Sequence, residues 1–154
     1  MELYSRGGQM ARIEESVDIK QTVDKVFAYQ IEAKNWPKWW SFIPEAEQTS
    51  QGPIGVGTTF KGAIHILGLT MKWNAKATEY EANVKWVKNI TAGSTIIEEQ
   101  ITFAPIEIGT RFIIVFDMKV GGLMKLFSPM IVSSMRKETR KSLGNLKNIL
   151  EAQT

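Results

Sequence analysis

From Arg12 onward, hydrophobic and polar positions alternate. Ile13, Val17 and Ile19 fall on one face of an extended segment, with Arg12, Glu14, Ser16, Asp18 and Lys20 on the other. This is the period-two pattern of a half-buried strand, and Glu15 interrupts it by standing on the apolar side. The period then changes. Thr22 is a capping residue in front of Val23, Val26, Phe27 and Ile31, which recur at helical spacing, so a helix follows and ends before Asn35. Asn35-Trp36-Pro37 starts a second, short helical turn that Pro44 closes.

The middle of the chain returns to period two. Segments Thr58–Leu67, Thr70–Tyr80, Val84–Ile90, Thr95–Phe103 and Thr110–Val120 read as strands. They are separated by Gly68, Glu81-Ala82-Asn83, Ala92-Gly93-Ser94 and Pro105–Gly109, all turn-forming sequences. Phe60, Gly62, Ile64 and Ile66 share a face, as do Met71, Trp73, Ala75 and Ala77, and Phe112, Ile114, Phe116 and Met118. Gly121-Gly122 ends the strands and Leu123–Phe127 is a loose turn. Ser128-Pro129 opens a long helix whose apolar stripe is Ile131, Met135, Leu143, Leu146, Ile149 and Leu150. Met1–Met10 has no periodicity and contains Gly7-Gly8. It reads as a flexible leader to a single domain at 11–154, with no apolar core of a signal peptide.

This order predicts an α+β fold: a curved antiparallel sheet of six or seven strands wrapped around a long C-terminal helix, with two short helices after the first strand. One helix cannot cover the concave face of so large a sheet. Aromatics such as Phe60, Trp73, Phe112 and Phe116 fill the remainder, or a ligand cavity stays open.

Several segments carry a resemblance. The opening strand followed by Thr22–Phe27, the run Asn35-Trp36-Pro37-Lys38-Trp39, Gly55-Val56-Gly57-Thr58, Gly109-Thr110-Arg111-Phe112 and the closing Leu143–Glu151 are similar to the SRPBCC superfamily. Its members are the helix-grip proteins of START, Bet v 1-like and polyketide cyclase/dehydrase type. The resemblance covers residues 11–151. It implies a hydrophobic cavity between sheet and long helix, used for lipids, polyketides, sterols or hormones. Fold alone does not choose among binder, enzyme and co-chaperone-like domain.

Composition narrows the chemistry. Of 154 residues none is cysteine, which removes disulfides, thiolate metal sites and a thiol nucleophile and fits a cytoplasmic protein. The one histidine, His65, shares the outer strand face with Lys61, so no metal site and no histidine-based triad is expected. No apolar run approaches the roughly 20 residues of a membrane span. The net charge is +3, and residues 121–154 carry six cations against Glu138 and Glu151. That helix face is a solvated surface or a binding face for an anionic membrane or nucleic acid. It lacks aromatics to stack on bases, which argues against nucleic acid. Gly55–Gly57 and Gly121-Gly122 lack the strand–loop–helix setting of a phosphate loop.

The expected ligand is therefore a hydrophobic or amphipathic small molecule, with no cofactor. The predicted lining comes from Trp39 on the short helix and from Phe60, Ile64, Met71, Trp73 and Ile97 on the strands. Phe112, Ile114 and Phe116 follow from the last strand, and Met130 and Ile131 from the start of the long helix. Trp36, Trp39 and Trp40 form either a lid over ligand or an anchor onto the sheet. The methionines Met118, Met124, Met130 and Met135 suit a pocket or a plain core. Glu99 is the one weak catalytic candidate. The alternation Ile97, Glu99, Ile101 places it inside as a polar hook or an acid–base group of a cyclase/dehydratase. A one-residue bulge or an edge position would instead turn Glu99, and likewise Glu15, to water.

Overall fold

A computed structural model describes residues 10–153. Seven strands form one antiparallel sheet: β1 (Met10–Ile19), β2 (Glu45–Gln48), β3 (Thr59–Ile66), β4 (Leu69–Glu81), β5 (Lys85–Ala92), β6 (Thr95–Ile106) and β7 (Gly109–Lys119). Their order across the sheet is β1-β7-β6-β5-β4-β3-β2. Between β1 and β2 lie α1 (Val23–Gln30) and a 3-10 turn (Ala33–Asn35) that runs into α2 (Trp36–Trp39). After β7 a 3-10 turn (Gly122–Phe127) leads into α3 (Ser128–Glu151), 24 residues long. Met10, the last residue of the expected leader, already pairs with Lys119; the rest of that leader lies outside the described residues.

The seventh strand is the one the pattern did not reveal. Glu45-Ala46-Glu47-Gln48 carries no apolar alternation, because β2 is an edge strand and faces water on most sides. It docks on β3 through the pair Ala46↔Gly62. A Cβ at Gly62 would overlap the Glu45 carbonyl and the Trp73 ring, so glycine is what lets that edge close. Pro105 falls inside β6 rather than in the turn. Pairing with β5 stops at Thr102, so β6 has a free side beyond it, where a missing N–H costs nothing. A register shift does occur, but in β4 between Ala77 and Glu79, not at Glu99.

Helix α3 lies in the concave face and is tied to β1. Arg140 Nε donates to the Glu15 carboxylate at 3.1 Å, and Lys147 Nζ donates to the Asp18 carbonyl at 2.8 Å. Glu15 is thus on the inner side as the alternation implied, and it is paired there. Ser41 N donates to Ser142 Oγ and Asn145 Nδ2 to the Trp39 carbonyl, which fixes the end of α2 onto α3. One continuous core runs from Ile13 to Leu150.

Candidate functional site

Between the inner faces of β3–β7, α2 and Met135 of α3 lies a mainly apolar cavity. Its walls include Trp36, Trp40, Phe42, Ile64, Trp73, Ile97 and Phe116. It offers about 60 Å³ to the centres of water molecules, room for a few waters but not for a lipid in this conformation. A second space of about 30 Å³ lies beside it, toward the turn before α3. It is bounded by Met71, Met118, Met124 and Ile131 among others. Ile64, Ala92, Ile97 and Met135 border both. Met135 is the most adaptable of these dividing side chains.

Two charged side chains line the larger cavity. On β5 the inward phase is Trp86, Lys88, Ile90 and Ala92; on β6 it is Ile97, Glu99 and Ile101. Lys88 and Glu99 are direct cross-strand partners. Lys88 Nζ lies 2.8 Å from Glu99 Oε1, with the two side chains 5% and 6% exposed. The ammonium is therefore the charged partner of that carboxylate oxygen. Burial pulls the Lys88 ammonium below its ordinary value, and the adjoining carboxylate partly offsets this.

Aromatic rings complete the surroundings of the ammonium. Nζ stands 3.8 Å from the centroid of the Trp36 ring and 4.2 Å from that of Trp86, with Phe60 farther away at 5.6 Å. Such contacts favour the charged form when water is excluded. Gln30, fully buried at the end of α1, holds both indoles. Its backbone carbonyl accepts from Trp36 Nε1, and its Oε1 accepts from Trp86 Nε1 at 2.8 Å. The cage is therefore set by α1 and α2 as well as by the sheet.

Of the residues singled out from sequence, Ile64, Trp73, Ile97, Glu99 and Phe116 line the larger cavity. Met71 and Ile131 line the smaller one. Four others lie in packed core instead. Trp39 stacks on Trp40 at 4.3 Å and meets Phe112 edge-on. Phe60 backs the cage against Trp36 and Trp86. Phe112 and Ile114 are fully enclosed. Met130 is the clear departure, exposed on the outside of α3, because the inward stripe is Ile131 and Met135 and one residue turns a helix by about 100°. His65 is exposed, with Nδ1 2.7 Å from Thr70 Oγ1. Lys88, Trp86 and Gln30 were not anticipated. Lys88 had a usable signal, its phase with Trp86 and Ile90. Gln30 had none, since a helical glutamine reads as surface.

Among the described residues no three His, Cys, Asp or Glu side chains cluster as a metal ion would require, and no helix is long and apolar enough to cross a membrane. Residues 10–151 match the family model described as "Polyketide cyclase / dehydrase and lipid transport". A search of curated proteins by sequence finds no match. Among solved structures, the Zhui aromatase/cyclase from Streptomyces sp. R1128 superposes with a TM-score of 0.80 at 11% identity, over 94% of this chain and 95% of that one. TTHA0849 from Thermus thermophilus gives 0.77 at 15% identity, over 94% and 99%. The di-domain ARO/CYC BexL from the BE-7585A biosynthetic pathway gives 0.79 at 15% identity; this chain spans about half of it, 54%, with 99% of its own length covered. At these identities the likeness is one of fold.

Proposed function

This chain belongs to the polyketide cyclase / dehydrase and lipid transport family, and from that membership we propose that it holds a lipid- or polyketide-like molecule between the sheet and α3. The observation that carries this reading is the Lys88–Glu99 pair, a buried charge couple placed against an otherwise apolar cavity wall. A buried ion pair contributes little net stability compared with apolar residues of the same volume. Its use is to give an amphipathic ligand one polar contact. Trp36 and Trp86 flank the Lys88 ammonium, and the Glu99 carboxylate beside it lines the cavity. A ligand hydroxyl therefore finds its acceptor at Glu99, with its apolar body against Trp40, Trp73 and Phe116. Binding requires the walls between sheet and α3 to open, since the two spaces of about 60 and 30 Å³ do not hold such a molecule as they stand.

The second reading is a cyclase/dehydratase, favoured by the same pair: a carboxylate base and an ammonium acid side by side at the cavity wall. Glu99→Gln separates the two. Native mass spectrometry of the purified protein is expected to show a retained small molecule, and an apolar fluorescent probe to bind with a Kd on the order of micromolar. Under the binding reading, Glu99→Gln keeps most of that affinity. Under the enzyme reading, it lowers turnover of a polyketide-like substrate by about 10²–10⁴. A protein that retains no molecule and takes up no probe would remove the basis for both.

A further inference from the structure

The end of the molecule where α3 begins is apolar and faces outward. Leu123, Leu126, Phe127 and Met130 follow closely in sequence across the 3-10 turn and the first turn of α3 and all stand at the surface. Among the described residues these side chains stand open: Leu123 is 84% and Leu126 79% exposed, with Phe127 and Met130 more than half exposed. The opposite face of the same segment, Met124 and Ile131, lines the smaller cavity. The β3–β4 hairpin lies at the same end, since Ile66 and Met71 line that cavity too. Its tip exposes Leu67 and Leu69.

Leu67 adds an independent sign. It sits at φ +53 beside Gly68 at φ +77, the two positive-φ positions of a tight hairpin. Asparagine or glycine is the residue the backbone prefers there, and a leucine is strained. An exposed leucine in that backbone conformation is an outlier that fits a contact outside the fold.

Charge indicates what that is. The segments 64–72, 89–97 and 118–137 at this end contain Lys72, Lys119, Lys125, Arg136 and Lys137, and the carboxylates Glu98, Asp117 and Glu138 stand only at their borders. Lys72, Lys119, Lys125 and Lys137 are exposed. Aliphatic and aromatic tips among an excess of cations match the acyl–headgroup boundary of an anionic bilayer. A protein partner of the ordinary kind would need polar complementarity across a wide rim.

We propose that this end of the molecule docks on anionic lipid membranes, inserting Leu123, Leu126, Phe127 and Leu67 and setting Lys119 and Lys125 against the headgroups. Docking there would bring the smaller cavity up to the bilayer, with only the turn before α3 between them. The proposal stands apart from the reading of the cavity, because it rests on the outer surface alone.

The test is flotation of the full chain with vesicles of phosphatidylcholine alone and of phosphatidylcholine with about one third phosphatidylglycerol. The expected result is binding to the anionic vesicles that weakens with salt, and much less to phosphatidylcholine alone. The Leu123→Ser/Leu126→Ser variant is expected to bind at least about tenfold more weakly, and Lys125→Glu about tenfold more weakly. Both should unfold at the wild-type temperature and take up the apolar probe as before, which keeps this test separate from that of the cavity. Wild-type protein that stays unbound overturns the proposal, as do variants that bind as wild type does. So does sedimentation showing a wild-type dimer that Leu123→Ser/Leu126→Ser converts to monomer, since the face is then covered by a second copy.

Discussion

Replacing Lys88 with methionine keeps most of the side-chain volume and removes the charge that Glu99 faces. At 2.8 Å the two charges attract by about 6 kcal/mol at an effective dielectric of about 20. The rings of Trp36 and Trp86 add about 2 kcal/mol or more in a site without water. Against this stands the desolvation of two ions, several kcal/mol each. The pair is thus near balance as a whole, while either half alone is badly placed. Lys88→Met strands a buried carboxylate and is expected to cost about 3–5 kcal/mol. With a urea slope of about 2 kcal/mol/M, the unfolding midpoint falls by about 2 M. Lys88→Met/Glu99→Leu removes both charges and is expected to regain most of that loss, ending within about 2 kcal/mol of wild type. A double-mutant cycle by urea denaturation reads the coupling directly. A single variant that moves the midpoint by less than about 0.3 M, or a double variant that loses the sum of both single effects, would refute the account of a desolvated, coupled pair.

Helix phase is tested by Leu146→Ala, expected to cost about 2–5 kcal/mol at a fully buried site, against Lys137→Ala, expected to stay within about 0.5 kcal/mol. Equal effects in thermal melts would mean that α3 presents a different face. Leu67→Asn relieves the positive-φ strain and is expected to raise stability by up to about 1 kcal/mol; a loss would show the leucine to be packed. Two ion pairs, one within α3 and one between β1 and β7, set an acid dependence. Lys147 lowers the Glu151 carboxyl below its ordinary 4.5 by hydrogen bonding, and Arg111 lowers Asp18 below 3.8 in the same way. Depressed carboxylates stabilise the fold above their unfolded values and lose that contribution as pH falls through the folded ones. Denaturation midpoints should therefore drop on acidification below 4.5, and Asp18→Asn/Glu151→Gln should flatten that slope.

Most of the architecture is legible in residue order because period two and period 3.6 are local properties. Trp73 beside Ala75, and Ile131 beside Met135, disclose their faces without reference to anything distant. The edge strand β2 escapes because its pairing depends on Gly62 across the sheet rather than on its own apolar residues. Lys88 escapes for a related reason. A lysine in isolation reads as solvent-facing; its phase with Trp86 and Ile90 turns it inward, and the register of β5 against β6 sets it opposite Glu99 and beneath two indoles. The size of the cavity is a property of rotamers: Trp39, Phe60 and Phe112 occupy space that the alternation alone leaves open. Met130 shows the limit of a stripe drawn at a helix start, where one position decides between interior and surface.

The first strand has a kinetic consequence. Among the described residues β1 forms its ladder with β7 alone, pairing Ile13 with Phe116, and its other main neighbour is α3. Its partners thus lie about a hundred residues downstream. During synthesis at roughly 5–20 residues per second, β1 waits about 5–20 s before a partner exists. In that interval β3–β6 can form their successive hairpins, but Ile13, Val17 and Ile19 have no ladder to join. Such long-range closure makes the fold slow to complete. A nascent chain halted before Gly109 would carry an unpaired apolar strand near its N-terminus, a segment open to chaperone capture until the ribosome has delivered the end of the sheet.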